Sequence, residues 1–460
     1  MLFKMNLLPK RVQTFNLGLA RFVPHSFLYV IFFTFFCYLL GIFSAYQGPF
    51  EMVKFWVNGF WSLLGFAMQM ALMVLTGFSV ASVPWGQKIL RYLAGVPKTP
   101  RRAVMFLTGA TAVISWIHWG IGMVVGAFLA REMGKKVRRI DYPLLVAGAY
   151  IGMAAGRFGI LAWEPLSVSQ AGHLFEKSVG VIPLAQTSMS VMVLSAFGLG
   201  TLMVIALVGL IHPQGKDAVP PSPEVLKRFE EEDTSEIDFF LAEKELRKKG
   251  GMPPGVWLEH SRWPVWLLSI MGFSYIVYWF YGKGLDLNIN MLNFVLLFLA
   301  LALHDTPLRF IKSMERSTRI AYGIIVQFPF YAGIQGMLAS SGLAAILFHW
   351  FTVNSSAAMY PFWVYLDAVF INLFAPTAEG VWGIQGSLVM KTAQDINAAI
   401  PRAINAFTAG EVIGNLIQPF WAFPLLSICG LSLRYIMGYC LLAFILLSML
   451  WLLCVTLLPF

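Results

Sequence analysis

The chain has 460 residues, of which 58% are hydrophobic and only 12% charged, a balance that excludes a soluble globular domain of this length and makes it a polytopic membrane protein. The net charge of +10 does not call for nucleic acid, because Lys and Arg fall in short clusters between apolar runs, as cytoplasmic loops require. Cys37, Cys429, Cys440 and Cys454 lie inside apolar runs without metal-ligand spacing and read as small buried hydrophobes, so neither metal nor cofactor is expected.

Lys4, Lys10, Arg11 and Arg21 put the N-terminus on the cytoplasmic side. The start is amphipathic and lacks a small-residue cleavage site, so it reads as retained. A first span is predicted over roughly Phe22 to Ala45 and a returning one over about Gly59 to Ser82. Lys88, Arg91, Lys98, Arg101 and Arg102 then mark a cytoplasmic loop, and Arg131, Lys135, Lys136, Arg138 and Arg139 mark another. The apolar run Ala103 to Ala130 between them has both ends on one side. At about 28 residues, or roughly 42 Å as one helix against a core of about 30 Å, it suits a hairpin with its tip near Ser115 to Gly122. The alternative is a single tilted, kinked span that breaks the charge rule.

Tyr142 to Trp163 leaves again, interrupted at Gly152 to Gly159, and roughly Val179 to Ile211 returns. From His212 to Trp263 the prolines 213, 220, 221, 223, 253 and 254 frame acidic and basic stretches, which makes a soluble linker. A short surface helix is expected over 237–249, where acids precede bases. Val265 to Tyr281 exits, and a run from about Asn290 to Leu303 returns to Arg309, Lys312, Arg316 and Arg319. Ile320 to Leu338 exits, bent by Pro329, Gly333 and Gly336. Pro361 to Thr392 has almost no basic residue at either end, which fits a second hairpin entering from outside. Ala403 to Leu426 crosses inward, Arg434 marks the cytoplasm, and Ile436 to Leu457 exits.

Two stretches organise this series. Asp367 to Gly386 is apolar but broken midway by Pro376, Thr377, Ala378, Glu379 and Gly380; inside a bilayer such a break is tolerated only where protein or a water-filled cavity surrounds it. Trp119-Gly120-Ile121-Gly122 in the first hairpin matches Trp382-Gly383-Ile384-Gln385-Gly386 in the second, and Ala147 to Gly152 (AGAYIG) matches Ala409 to Gly414 (AGEVIG). Each pair occurs in the same order. The expected fold is therefore all-α, with two inverted-topology repeats, re-entrant hairpins and broken helices. The first repeat is residues 1–211 with its hairpin at about 103–130. A linker over 212–263 and a joining helix over 264–282 follow, and the second repeat is 283–460 with its hairpin at about 361–392.

Ionisable groups inside a membrane are costly and tend to do work. His118, Arg157, Asp367, Glu379 and Glu411 are the candidates. His118 is either a neutral imidazole bonded to backbone or a titrating group. Arg157 keeps its charge and must pair with an acid or bind an anion; Glu379 is the expected partner, because the two breaks should meet. Asp367 reads as solvated near the outer mouth. Asn372, Gln385, Asn415 and Gln418 satisfy freed backbone or bind substrate, while Gln69, Gln327 and Gln335 brace helices and the Trp and Tyr residues near span ends anchor the interface. No nucleophile–base pair or phosphate loop is spaced for catalysis, which disfavours an enzyme.

At GFWSLLGFAMQMAL, GMVVGAFLARE, DYPLLVAGAYIG, VQFPFYAGIQGM, WGIQG, QPFWAFPLL and IMGYC the chain resembles the bacterial short-chain fatty acid transporter family, which includes acetoacetate and butyrate uptake permeases. The resemblance implies uptake of small monocarboxylates across the inner membrane, an elevator-like movement, and relatives that assemble as homodimers. The chain departs from the family at its breaks: Pro376-Thr377-Ala378-Glu379-Gly380 stands where a Pro-Ser-Gly-Gly-Gly run is expected, and His118-Trp119-Gly120-Ile121-Gly122 where Asn-Trp-Gly-Phe-Gly is expected. The expected molecule is a secondary transporter of a small carboxylate coupled to a cation, a proton in preference to sodium. Arg157, Gly120, Gly122, Thr377, Gly380 and Asn415 would bind substrate, and Glu411, His118, Glu379 and Asn372 would serve the coupling ion. Another organic anion or a zwitterion is an alternative substrate; an alternative of another class is a transport-dead sensor whose Arg157–Glu379 pair plugs the site.

Overall fold

Lipid offers backbone groups no water, so a chain this apolar folds as helices that satisfy their own N–H and C=O groups. The computed structural model describes residues 7–458 except 174, 214, 234–244, 246–251, 285–287 and 419, and among them there is no strand. The first half contains α1 (Leu7–Ala20), α2 (Ser26–Phe43), α3 (Pro49–Gly59), α4 (Leu64–Ser82) and α5 (Pro84–Ala94). It continues with α6 (Pro100–Ile117), α7 (Trp119–Lys136), α8 (Tyr142–Gly156), the short α9 (Trp163–Val168) and α10 (Val191–Ile211). A linker helix, α11, spans 223–233. The rest comprises α12 (Trp263–Lys283), α13 (Ile289–Leu303), α14 (Pro307–Ser340), α15 (Leu343–Thr352), α16 (Tyr360–Phe374), α17 (Ala378–Asp395), α18 (Ile400–Gly414), α19 (Ala422–Cys429) and α20 (Met437–Leu457).

Helix starts follow local chemistry. Pro occupies the first turn of α3, α5, α6, α8, α12, α14, α16 and α18, where its missing N–H costs nothing. Thr99, Asp141, Ser190, Asn288 and Thr306 cap the helices they precede by accepting a backbone N–H. Among the described residues five helices, α2, α4, α10, α12 and α20, are long and apolar enough to cross a membrane unaided, and the end of α14 joins α15 through a 70° bend.

The run Ala103 to Ala130 is a hairpin. Gly122 lies against Ser115 and Gly126 against Thr111, a register that only antiparallel arms produce, so α6 and α7 are not one kinked span. The second hairpin is α16 and α17: Tyr360 donates its hydroxyl to the Val389 carbonyl, and Gln385 reaches Asp367. Each hairpin's first arm then packs on the broken helix that follows, α6 on α8 and α16 on α18. Glycines permit the close approach: Gly148 and Gly152 face Val104 and Thr108, while Gly410 and Gly414 face Tyr365, Val369 and Asn372.

Several boundaries differ from those read in the sequence. Residues 175–190, expected in part as the start of a span, form turns and two single-turn helices, Glu176–Val179 and Leu184–Gln186, before α10. The basic segment at 309–316, expected ahead of the span that begins at Ile320, is continuous with it as the first third of the 34-residue helix α14, because no Pro or Gly interrupts it before Gly323. The helix α15 was not foreseen. It begins after Gly342, whose left-handed φ of 77° makes the turn. The surface helix expected over 237–249 lies outside the described residues apart from Glu245.

Candidate substrate site

Three backbone breaks meet in the interior. The first is His118 alone, whose extended backbone separates α6 from α7; the Gly120 N–H donates to its Nδ1 at 3.1 Å, so the imidazole caps α7. That nitrogen is therefore an acceptor and carries no proton. The second break follows α8, which ends at Arg157. The third is Ala375 to Thr377, ahead of α17, whose N-terminus has no side-chain cap. The Thr377 Oγ1 instead accepts from Gln335 Nε2 at 2.9 Å.

Arg157 is the centre of this meeting. Its guanidinium stacks between Trp119, 5.0 Å from the ring centroid, and Trp421, at 5.7 Å, contacts in which a cation gains from the ring faces. Nη2 lies 3.4 Å from Glu411 Oε1, and Nη1 is buried without a hydrogen-bond partner. Its ion pair is therefore with Glu411 rather than with the expected Glu379; among the described residues no ion pair joins Arg157 to Glu379. Glu411 also accepts from Asn415 Nδ2 at 3.2 Å, Asn415 Oδ1 accepts from Asn372 Nδ2 at 3.3 Å, and the Asn415 carbonyl accepts from the Tyr150 hydroxyl at 2.7 Å. A hydrogen-bond chain thus runs from α16 through α18 to the end of α8.

A cavity of about 150 Å³ opens beside Arg157, lined by His118, Trp119, Trp163, Glu164, Ala378, Glu379 and Glu411 among others. That volume holds several water molecules or one small organic ion. Four of the expected site residues line it: Arg157, His118, Glu379 and Glu411. Gly120 instead packs on Met73 and the His118 ring, Gly122 on Ser115, and Gly380 on the Gln335 amide. Thr377, Asn372 and Asn415 stand one layer behind, held by the bonds given above. Asp367, expected to be solvated at a mouth, is wholly buried between the arms of the second hairpin, with Gln385 Nε2 3.5 Å away.

Sequence reasoning missed Glu164, Trp119 and Trp421. Glu164 is 1% exposed and its Oε1 has no hydrogen-bond partner; it lies one residue past the apolar run that ends at Trp163. Trp421 donates Nε1–H to the Pro376 carbonyl at 2.8 Å, and so satisfies the backbone of the second hairpin's break. A Trp in a broken span is a signal for this role, distinct from a Trp at a membrane interface.

The sequence profile described as "Short chain fatty acid transporter" matches residues 8–458. The chain belongs to the short-chain fatty acid transporter family. It is 35% identical over 431 residues to a protein of Escherichia coli (strain K12) provisionally named a short-chain fatty acid transporter, covering 92% of this chain and 94% of the relative. A Haemophilus influenzae (strain ATCC 51907 / DSM 11121 / KW20 / Rd) protein with the same provisional name is 32% identical over 442 residues, covering 93% and 94%. Among solved structures, the transporter is similar to the YdaH transporter of Alcanivorax borkumensis (TM-score 0.45, 14% identity, covering 94% of this chain and 97% of that one). It is also similar to MtrF of Neisseria gonorrhoeae, described among antimetabolite efflux pumps (TM-score 0.39, 13% identity, 97% of each chain). Membership makes the chain a multi-pass membrane transporter and not an enzyme.

Proposed function

We propose that this transporter carries a short-chain monocarboxylate across the bacterial inner membrane by alternating access, together with a proton. The observation that carries the proposal is the buried, unpartnered Nη1 of Arg157 beside a small cavity. A guanidinium keeps its charge in low dielectric and is matched by a carboxylate. The uncapped N-terminus of α17, at Ala378 and Glu379, lines the same cavity and offers free N–H groups to the substrate. Glu411, the ion partner of Arg157, is the group a substrate would displace, and His118 and Glu379 stand within the same cavity.

The inverted repeat is part of this proposal. Tyr150 meets Asn415 while Arg157 meets Glu411, so the two broken helices touch with opposite chain sense, as halves of opposite topology would. Two larger cavities support alternating access. One of about 500 Å³ shares Trp163, Asn288, Ile289 and Glu379 with the site. Another of about 810 Å³ lies among Gln87, Arg131, Arg228 and Lys312, a region whose basic residues support a cytoplasmic location for it and, with it, for the N-terminus.

The test is uptake of labelled butyrate and acetoacetate into proteoliposomes under an imposed proton or sodium gradient. Loss of a charge-assisted hydrogen bond worth about 1.5–3 kcal/mol predicts that Arg157→Gln lowers uptake about 10- to 100-fold. Uptake driven by sodium and indifferent to a pH gradient would replace the proton with sodium; undiminished uptake by the variant would remove Arg157 from the site. A zwitterionic substrate is the second possibility, favoured by the excess of acids over Arg157 around the cavity, with its ammonium group on Glu379. Competition of butyrate uptake by small amino acids separates the two.

A further inference from the structure

Glu164 has no task in the scheme above, yet it is among the most deeply buried acids of the molecule. It stands in the first turn of α9, lines the cavity, and keeps Oε1 without a partner. The helix α9 packs on α17 and α18. The groups that face Glu164 are therefore Glu411 and Thr408 from α18 and Arg157 from the end of α8, with Glu379 from α17 and His118 from the first hairpin tip across the cavity. Two carboxyl groups thus lie near one guanidinium, Glu411 paired with it at 3.4 Å and Glu164 beyond ion-pair distance, and each keeps an oxygen free: Glu164 Oε1 and Glu411 Oε2.

Resting on the carboxylate assignment above, we propose that Glu164 and Glu411 together form the site of the coupling proton, and that Glu164 makes substrate binding depend on that proton. The charge count gives the reason. With both carboxyls ionised, Arg157 and the pair carry one net negative charge. A substrate carboxylate alone would make this two, in surroundings where like charges in contact interact strongly. A proton arriving on either carboxylate oxygen, forming one O–H bond, returns the loaded site to one net negative charge. Proton and carboxylate therefore bind together, and leave together when that O–H bond breaks on the other side. His118 stays outside the count because its Nδ1 accepts from Gly120, and Glu379 contributes the same charge before and after loading. With Gln at 164 the empty trio is neutral, and the bound carboxylate reaches the native loaded charge without any proton.

The experiment measures binding of butyrate and acetoacetate to the purified full chain across a pH series by isothermal titration calorimetry, with quenching of total tryptophan fluorescence, to which Trp119 and Trp421 beside Arg157 contribute, as a second readout. One linked proton predicts a native affinity that falls about tenfold per pH unit wherever the empty site has released that proton. In Glu164→Gln the affinity is expected to be independent of pH, and in proteoliposomes accumulation driven by a pH gradient falls at least about tenfold relative to homologous exchange, the same single-proton factor. Glu164→Asp retains the native slope and controls for folding. A Glu164→Gln protein with the native slope, or a native protein with none, overturns the proposal. Should the native chain bind neither carboxylate, the substrate assignment falls, and infrared titration of the substrate-free protein decides the pair. A carboxylic C=O band lost in Glu164→Gln supports it, and an unchanged band overturns it.

Discussion

At the scale of single residues, the site turns on which group each buried charge meets: Arg157 lies between Trp119 and Trp421 and pairs with Glu411, while Glu164 keeps one oxygen without a partner. Arg157, Glu379, Glu411 and His118 were legible because ionisable groups in apolar runs are rare. Glu164 was hidden by lying one position past a run, and Gly120 and Gly122 announced a close approach without saying what approaches. Outside the spans the same logic applies to Asp141, the cap of α8, whose Oδ1 accepts from the Leu144 N–H at 2.9 Å and Oδ2 from the Val219 N–H at 3.1 Å. Burial pushes its carboxyl up from 3.8 to about 6, against the pull of those two bonds. A raised acid binds more protons folded than unfolded, so its contribution to stability is greatest below pH 3.8, falls as pH rises to about 6, and is level beyond. Thermal unfolding of the detergent-solubilised protein should show this slope between those values, and Asp141→Asn, which keeps an accepting oxygen for Leu144, should remove it.

At the scale of elements, hairpins and broken helices were legible from clusters of Lys and Arg on both flanks of one apolar run and from Pro376 within another. What the residues did not disclose was how closely the elements pack. Gly148 and Gly152 on α8, and Gly410 and Gly414 on α18, occupy corresponding places in the matched AGAYIG and AGEVIG segments and meet the first arms of their respective hairpins. A Cβ at Gly410 would meet the Tyr365 carbonyl and lie 2.7 Å from the Ala368 Cβ, whereas one at Gly18 would meet nothing. Gly410→Ala is therefore expected to destabilise by about 1–3 kcal/mol through overpacking. Gly18→Ala, in the open face of α1, should be neutral or stabilising by up to about 1 kcal/mol. Denaturant or thermal melts of the two variants check the contrast. The bend between α14 and α15 falls at Ser340-Ser341-Gly342, a turn signal just past the span read as ending at Leu338.

At the scale of the whole molecule, the linker proves to be partly built into the membrane domain. On α11, Phe229 is fully buried, with the Arg131 guanidinium 4.5 Å from its ring. Arg131 pairs with Glu232 and, at 2.7 Å, with Asp233, and Lys135 pairs with Asp233 at 2.7 Å. Arg228 donates to the Ser427 carbonyl of α19 at 3.1 Å. Composition had marked the segment as soluble and could not show that an aromatic and two acids return to α7. The acids are about two-fifths exposed, so water screens them and the loss in Arg131→Ala is expected near 1 kcal/mol rather than in the buried-pair range. Tryptic cleavage at Lys227 and Arg228 should then quicken about fivefold, the population change that such a loss brings.

Because α11 is fastened both to α7 and to α19, the first half of the chain ends with its own clasp on the second. Two separately translated polypeptides, one ending after Asp233 and the other beginning ahead of Pro254, would find each other without a peptide bond between them. Genetic complementation by such fragments would then depend on Phe229 and Arg228, and a connector that looks dispensable in length would be indispensable at its root.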